Sequence, residues 1–152
     1  MLVGREEEIR DLQRAYDSNE SKFVAIFGRR RVGKTYLVRE VFEDNFAFTY
    51  SGMANTSTHD QLLRFYLTLK DYGLEETACP TNWITAFHLL EQYLKRLPDG
   101  KKVVFLDELP WMDAPKSGFL PAFEYFWNAW ASARKDILLI VCGSATSWMV
   151  KN

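Results

Sequence analysis

The stretch Gly28-Arg29-Arg30-Arg31-Val32-Gly33-Lys34-Thr35 constrains this chain more than any other. Before it runs Phe23-Val24-Ala25-Ile26-Phe27, a continuous apolar segment that predicts a strand buried on both faces. After it, Leu37, Val38, Val41 and Phe42 fall on one side of a helix predicted from Gly33 to about Phe42. Strand, glycine-bounded turn and helix in this order, with the spacing G-x-x-x-x-G-K-[ST], form a phosphate-binding arrangement. Glycine lets backbone N–H groups approach and wrap an anion where a side chain would clash. The helix aims its free N–H groups and positive dipole end at the same anion. Lys34 then reaches the β- and γ-phosphates of a nucleotide, and the Thr35 hydroxyl is placed to ligate Mg2+. The alternative is an ordinary strand–helix turn that contains Lys-Thr.

The rest of the chain alternates between the same two kinds of segment. A first helix is predicted from about Arg5 to Tyr16, with Ile9, Leu12 and Tyr16 on one face and Glu6, Glu7 and Glu8 at its positive end. Phe46–Tyr50 reads as a second strand. Thr58 and Gln61 are spaced as a capping box, opening a helix that Gly73 stops. Trp83, Ile84, Phe87, Leu90 and Leu94 repeat at helical spacing until Pro98-Asp99-Gly100. Val103–Leu106 is a third buried strand, and Pro110 to Pro115 reads as loop. Phe119–Ala133 reads as one helix with an aromatic face of Phe119, Phe123, Phe126, Trp127 and Trp130. Ile137–Cys142 is a fourth buried strand. The fold class is α/β, with a doubly wound parallel sheet.

Composition narrows the function classes. Nineteen basic and twenty acidic residues in 152 give a net charge of −1, so global charge does not draw the chain to nucleic acid or an anionic membrane. The apolar runs are too short to span a bilayer, and the first residues carry acids and no signal-like segment, so the expected compartment is the cytoplasm. Cys79 and Cys142 form no metal-type pair, and His59 and His88 lack ligand spacing.

Val103-Val104-Phe105-Leu106 ends in Asp107-Glu108. Carboxylates at the carboxyl end of a buried parallel strand stand where ligands bind in open sheets. Beside a phosphate loop, Asp107 suits Mg2+ and Glu108 suits a general base that polarises water. The alternative is a strand that simply emerges into polar loop.

Together these segments resemble the nucleotide-binding half of a P-loop ATPase of the AAA+/STAND class, in particular the archaeal and bacterial ATPase family that opens with a GR-x-x-E helix. Val3-Gly4-Arg5-Glu6-Glu7-Glu8-Ile9 resembles that opening, Gly28–Thr35 Walker A, Val103–Glu108 Walker B, and Cys142-Gly143-Ser144 the end of the sensor-1 strand. Asp107-Glu108-Leu109-Pro110-Trp111 and Phe126-Trp127-Asn128 are similar to the family as well. The resemblance implies strand order 5-1-4-3-2, ATP and Mg2+ as ligands, and coupling of hydrolysis to the shape of a longer protein. It also implies a fifth strand and a helical lid past Asn152. The expectation is therefore a truncated AAA+-like core over 1–152 in a longer protein that self-associates or docks partner proteins. Within it, Gly28 to Lys34, Thr35 and Tyr36 cradle the phosphates, Val3, Gly4 and Arg5 line the adenine pocket, and Ser144 contacts the γ-phosphate or the attacking water.

Alternatives stay open at several of these positions. Thr146 rivals Ser144, whose hydroxyl also suits a turn or helix cap. Arg5 suits a solvated helical turn. Arg29, Arg30 and Arg31 suit solvated surface charges as well as phosphates, a neighbouring subunit or nucleic acid, and Arg134 is read as a surface residue. Trp127 and Trp130 are expected in the core, while Trp111 sits in a loop beside the carboxylates, where partners also dock. No Asn-Lys-x-Asp sequence favours guanine, so adenine is expected. The rival functions are a nucleotide-binding switch with negligible turnover and a P-loop small-molecule kinase.

Overall fold

Four apolar runs become four parallel strands: β1 (Lys22–Gly28), β2 (Phe48–Ser51), β3 (Lys102–Asp107) and β4 (Ile137–Ser144). They hydrogen-bond in the order β1-β4-β3-β2. The helices are α1 (Glu6–Asp17), α2 (Lys34–Phe42), α3 (Thr58–Tyr72), α4 (Trp83–Lys95), α5 (Leu109–Met112) and α6 (Phe119–Tyr125). This computed structural model describes residues 6–28 and 33–144, with the backbone alone at positions 28, 34 and 144.

Strand alternation divides the core into two layers. Val103, Phe105, Leu138, Ile140 and Cys142 face one way, with Leu12 of α1 and Leu37 and Val38 of α2. Val104, Leu106, Ile137, Leu139 and Val141 face the other, under α3, α4 and α6. A central strand between two helical layers must be apolar on both faces, which is why β3 and β4 read as unbroken apolar runs. The larger layer is rich in aromatic rings. Phe65 meets Trp83 at 5.4 Å and Phe48 at 5.2 Å, and Trp83 meets Phe119 edge-on at 5.0 Å. Such edge-to-face contacts are favoured by the ring quadrupoles.

Several expectations are corrected here. β1 is not buried on both faces: Phe23 and Phe27 are 41% and 46% exposed, while Val24 and Ile26 pack towards the α1/α2 layer. Its position explains this, because among the described residues β1 pairs only with β4 and forms a sheet edge. Ile84 is 67% exposed and lies off the core face of α4. The Pro110–Pro115 segment is not all loop, since Leu109–Met112 makes a helical turn with Pro110 near its start, where a missing N–H costs nothing. The aromatic helix changes winding: α6 gives way to a π-helical turn at Phe126–Trp130 and a 3-10 turn at Ala131–Ala133. Trp127 and Trp130 are partly buried against the larger layer, in line with their expected place.

The sheet end opposite the strand carboxyl termini carries a half-buried ion cluster. Lys102, only 5% exposed, donates to Gly100 O at 2.8 Å and Asp136 Oδ2 at 3.0 Å. Arg134 donates to both Asp136 oxygens at 2.9 and 2.7 Å and lies over the Trp130 ring. Arg134 is therefore engaged in the fold and is not a free surface charge. These donors hold the Asp136 carboxyl down at about 2.

Candidate functional site

The carboxyl ends of all four strands lie at one edge of the sheet. Gly28 ends β1 opposite Ser144 of β4, and Ser51 ends β2 opposite Asp107 of β3. In a doubly wound sheet this is the ligand edge. Gly33 adopts a left-handed conformation, φ 74°, and caps α2, so that Lys34 and Thr35 occupy its first turn. Only glycine takes that conformation without strain, which accounts for its place in the spacing.

From there Thr35 reaches across the sheet. Its hydroxyl donates to Asp107 Oδ2 at 2.6 Å, joining the start of α2 to the end of β3 over 72 residues of sequence. The other oxygen, Oδ1, accepts from the Glu108 N–H at 2.9 Å. The two residues expected to share a metal thus meet as a set of hard oxygen donors, the chemistry Mg2+ selects.

Glu108 stands at φ 50°, ψ 44°, a left-handed conformation costly for a residue with a Cβ. Such strain persists only where neighbours over-determine it. Here the Trp111 N–H donates to the Glu108 carbonyl at 3.1 Å, and the Gly52 N–H donates to Asp107 O at 2.9 Å. Gly52 lies so close that a Cβ there would stand 2.5 Å from Glu108 O. On the other flank, a Cβ at Gly143 of β4 would stand 2.7 Å from Pro110 Cδ and 2.6 Å from the Phe27 ring. The turn carrying Glu108 is wedged between β2 and β4.

Gln61 is not the capping partner its spacing suggested. Ser57 caps α3, accepting from the Asp60 N–H at 3.1 Å, and Gln61 is turned inward, 2% exposed. It reaches the backbone of Met53 and Trp111, beside the carboxylates. Gly52 was not singled out from the sequence, Gly143 entered only with the resemblance to a sensor-1 strand end, and Gln61 only as a cap. Single glycines next to strands carry no spacing signal, and Gln61 imitates a cap.

The other expected site residues are placed unevenly. Tyr36 is 54% exposed on α2. Gly28, Lys34 and Ser144 are positioned by their backbone at the ligand edge. Val3, Gly4, Arg5, Arg29, Arg30, Arg31, Val32 and Thr146 lie outside the described residues. A cleft of about 330 Å³ opens next to the Glu108 turn, lined by Met53, Thr56, Ser57, Trp111 and Asp113 among others. No helix among the described residues is long and apolar enough to cross a membrane.

A parallel sheet that sets a glycine-capped Lys-Thr turn against Asp107 is the core arrangement of a P-loop ATPase. More particularly, residues 2–152 match the family described as an ATPase domain predominantly from Archaea, and the chain belongs to that family. It is 28% identical over 151 residues to an uncharacterized protein of Methanocaldococcus jannaschii, covering 98% of this chain and 31% of that protein. It is 41% identical over 44 residues to an uncharacterized ATP-binding protein of the same organism, covering 29% of this chain and 75% of that one. Among solved structures, the Walker-type ATPase PABY2304 of Pyrococcus abyssi superposes with a TM-score of 0.58 at 17% identity, over 91% of this chain and 44% of that one. The ORC2 protein of Aeropyrum pernix, solved as ADPNP and ADP complexes, gives 0.55 at 15% identity, over 97% and 43%. The chain thus spans under half the length of each of these two solved chains.

Proposed function

We propose that this chain is the nucleotide-binding core of an Mg2+-dependent ATPase whose hydrolysis switches the shape of a longer protein. The observation that carries this reading is the Thr35–Asp107 hydrogen bond, which joins the two motifs a P-loop ATPase needs at one point. Family membership supports ATP as the nucleotide. The Aeropyrum pernix neighbour, solved as ADPNP and ADP complexes, agrees with it.

Each residue then has a task. The amides of Gly28 to Thr35, and Tyr36 behind them, enclose the phosphate chain, and Lys34 neutralises its β- and γ-oxygens. Thr35 and Asp107 would hold Mg2+, which supplies charge neutralisation on the phosphate oxygens when bound. Glu108 takes the proton of the attacking water as general base. Ser144 donates to the γ-phosphate or the water, and Val3, Gly4 and Arg5 line the adenine pocket. The change in γ-phosphate contacts on hydrolysis is what a lid or partner domain reads.

The test is ATP turnover and ATP affinity in Glu108→Gln. Turnover reduced at least a hundredfold with ATP still bound supports hydrolysis through Glu108. Unchanged turnover rejects Glu108 as the base. ATP binding without turnover in the parent protein identifies a nucleotide switch instead.

A further inference from the structure

We propose that Gln61 is a positioning residue for hydrolysis, fixing the turn that carries Glu108 without touching substrate; this rests on the reading of Glu108 as the base. Gln61 sits on the first turns of α3, away from the phosphate loop in sequence, and belongs to neither of the two nucleotide-site motifs. Its side chain is 2% exposed and every hydrogen-bonding position on it is used. Oε1 accepts from the Tyr50 hydroxyl at 2.8 Å and from the Met53 N–H at 3.4 Å. Nε2 donates to Met53 O at 2.9 Å and Trp111 O at 3.0 Å. Only this orientation of the amide matches two carbonyls on one side with two donors on the other.

The placement of those partners gives the network its meaning. Met53 follows Gly52, whose N–H bonds Asp107 O and whose Cα stands against Glu108 O. Trp111 donates its own N–H back to Glu108 O. One amide therefore ties both neighbours of the Glu108 carbonyl, from the β2 side and from the α5 side. A left-handed glutamate relaxes unless its flanks are held. Holding them sets the direction in which the Glu108 side chain leaves the backbone. Burial pushes the Tyr50 phenol up to about 12, so that hydroxyl remains a donor through the working range. A leucine would leave the Tyr50 hydroxyl and the Met53 and Trp111 carbonyls without these bonds, so stability and turnover are read separately in the test.

The test compares Gln61→Leu, Gln61→Glu and Tyr50→Phe with the parent protein by kcat, KM and equilibrium ATP affinity, with thermal midpoints to confirm folding. Gln61→Glu keeps the size of the side chain but sets an oxygen against the Met53 and Trp111 carbonyls in place of the two donors, and Tyr50→Phe, which removes one donor to Oε1, remains informative if a Gln61 variant does not fold. The expected result is a kcat reduced by about ten- to a hundredfold in either Gln61 variant, with ATP affinity changed less than about threefold. Tyr50→Phe gives a smaller fall in kcat. In a Glu108→Gln background, Gln61→Glu costs nothing more in single-turnover rate, because the two residues act as a unit. Parent kcat in a folded Gln61→Glu overturns the proposal. So does a further fall in the double variant, or a loss of affinity in step with kcat. If Glu108→Gln itself keeps full turnover, it is the assignment of the base that fails, and the Gln61 result is read separately.

Discussion

Replacing Gly52 with alanine adds one methyl group at the point where β2 passes the Glu108 turn. The added Cβ would stand 2.5 Å from Glu108 O, 3.0 Å from Met112 Cγ and 3.3 Å from Met112 N. Ordinary contact needs about 0.9 Å more at the carbonyl. That oxygen is backbone, held by the Trp111 N–H, and cannot rotate aside as a side chain would. Gly52 is not among the residues with positive φ, so alanine brings no backbone strain of its own and the effect is purely one of space. Overpacking of this kind costs about 1–3 kcal/mol, offset by up to about 1 kcal/mol from the stiffer unfolded chain. The net expectation is a loss of about 1–2 kcal/mol in equilibrium urea unfolding. If Glu108 is the base as proposed, displacement approaching 1 Å at its turn also lowers kcat by up to about a hundredfold, beyond what the stability loss explains. A Gly52→Ala protein as stable as the parent, with turnover within twofold, would refute the claim that close approach at Gly52 sets Glu108.

Further perturbations separate the parts of the account. Thr35→Val removes the donor to Asp107 and one proposed metal ligand, so Mg2+-dependent ATP binding weakens about tenfold or more in calorimetry while Thr35→Ser retains it. The Asp136 carboxyl, held at about 2 against an ordinary 3.8, stabilises the fold fully above the ordinary value. That contribution is lost as pH falls through the folded value, between about 4 and 2. With the side chain 26% exposed, solvent screening leaves it worth about 1–2 kcal/mol, readable as a steeper acid-unfolding curve than in Asp136→Asn. Asp136→Ala strands the Lys102 ammonium at 5% exposure and costs about 3 kcal/mol in denaturant unfolding. Phe65→Ala removes the ring that meets Phe48, Tyr50, Trp83 and Phe87, and costs about 3–5 kcal/mol.

Much of the fold was legible because its signals are local. The unbroken apolar runs of β3 and β4 follow from helices on both faces, and Gly73 at φ 114° ends α3 where its spacing predicts. The meeting of Thr35 and Asp107 was legible as well, since each belongs to a motif whose chemistry demands the other. Other features depend on contacts between distant segments and leave no local trace. β1 reads as a doubly buried strand, yet its exposure follows from its place at the edge of the sheet among the described residues. Gln61 matches a capping spacing, but Ser57, with extended backbone, takes the cap, and the Gln61 side chain makes four hydrogen bonds inward to Tyr50, Met53 and Trp111. The wedge at Gly52 and Gly143 is set by how near two strands pass the Glu108 turn, which no single-chain pattern records.

The claim at the centre of this account is a phosphate site built on Lys34 and on the Thr35–Asp107 pair. Titration calorimetry of ATP, with and without Mg2+, into the protein and into Lys34→Ala tests it most directly, with GTP as the comparison. The account predicts saturable, Mg2+-dependent ATP binding, weaker GTP binding, and loss of ATP binding in a folded Lys34→Ala. Equal ATP binding by Lys34→Ala, or none by the folded parent protein, would contradict it.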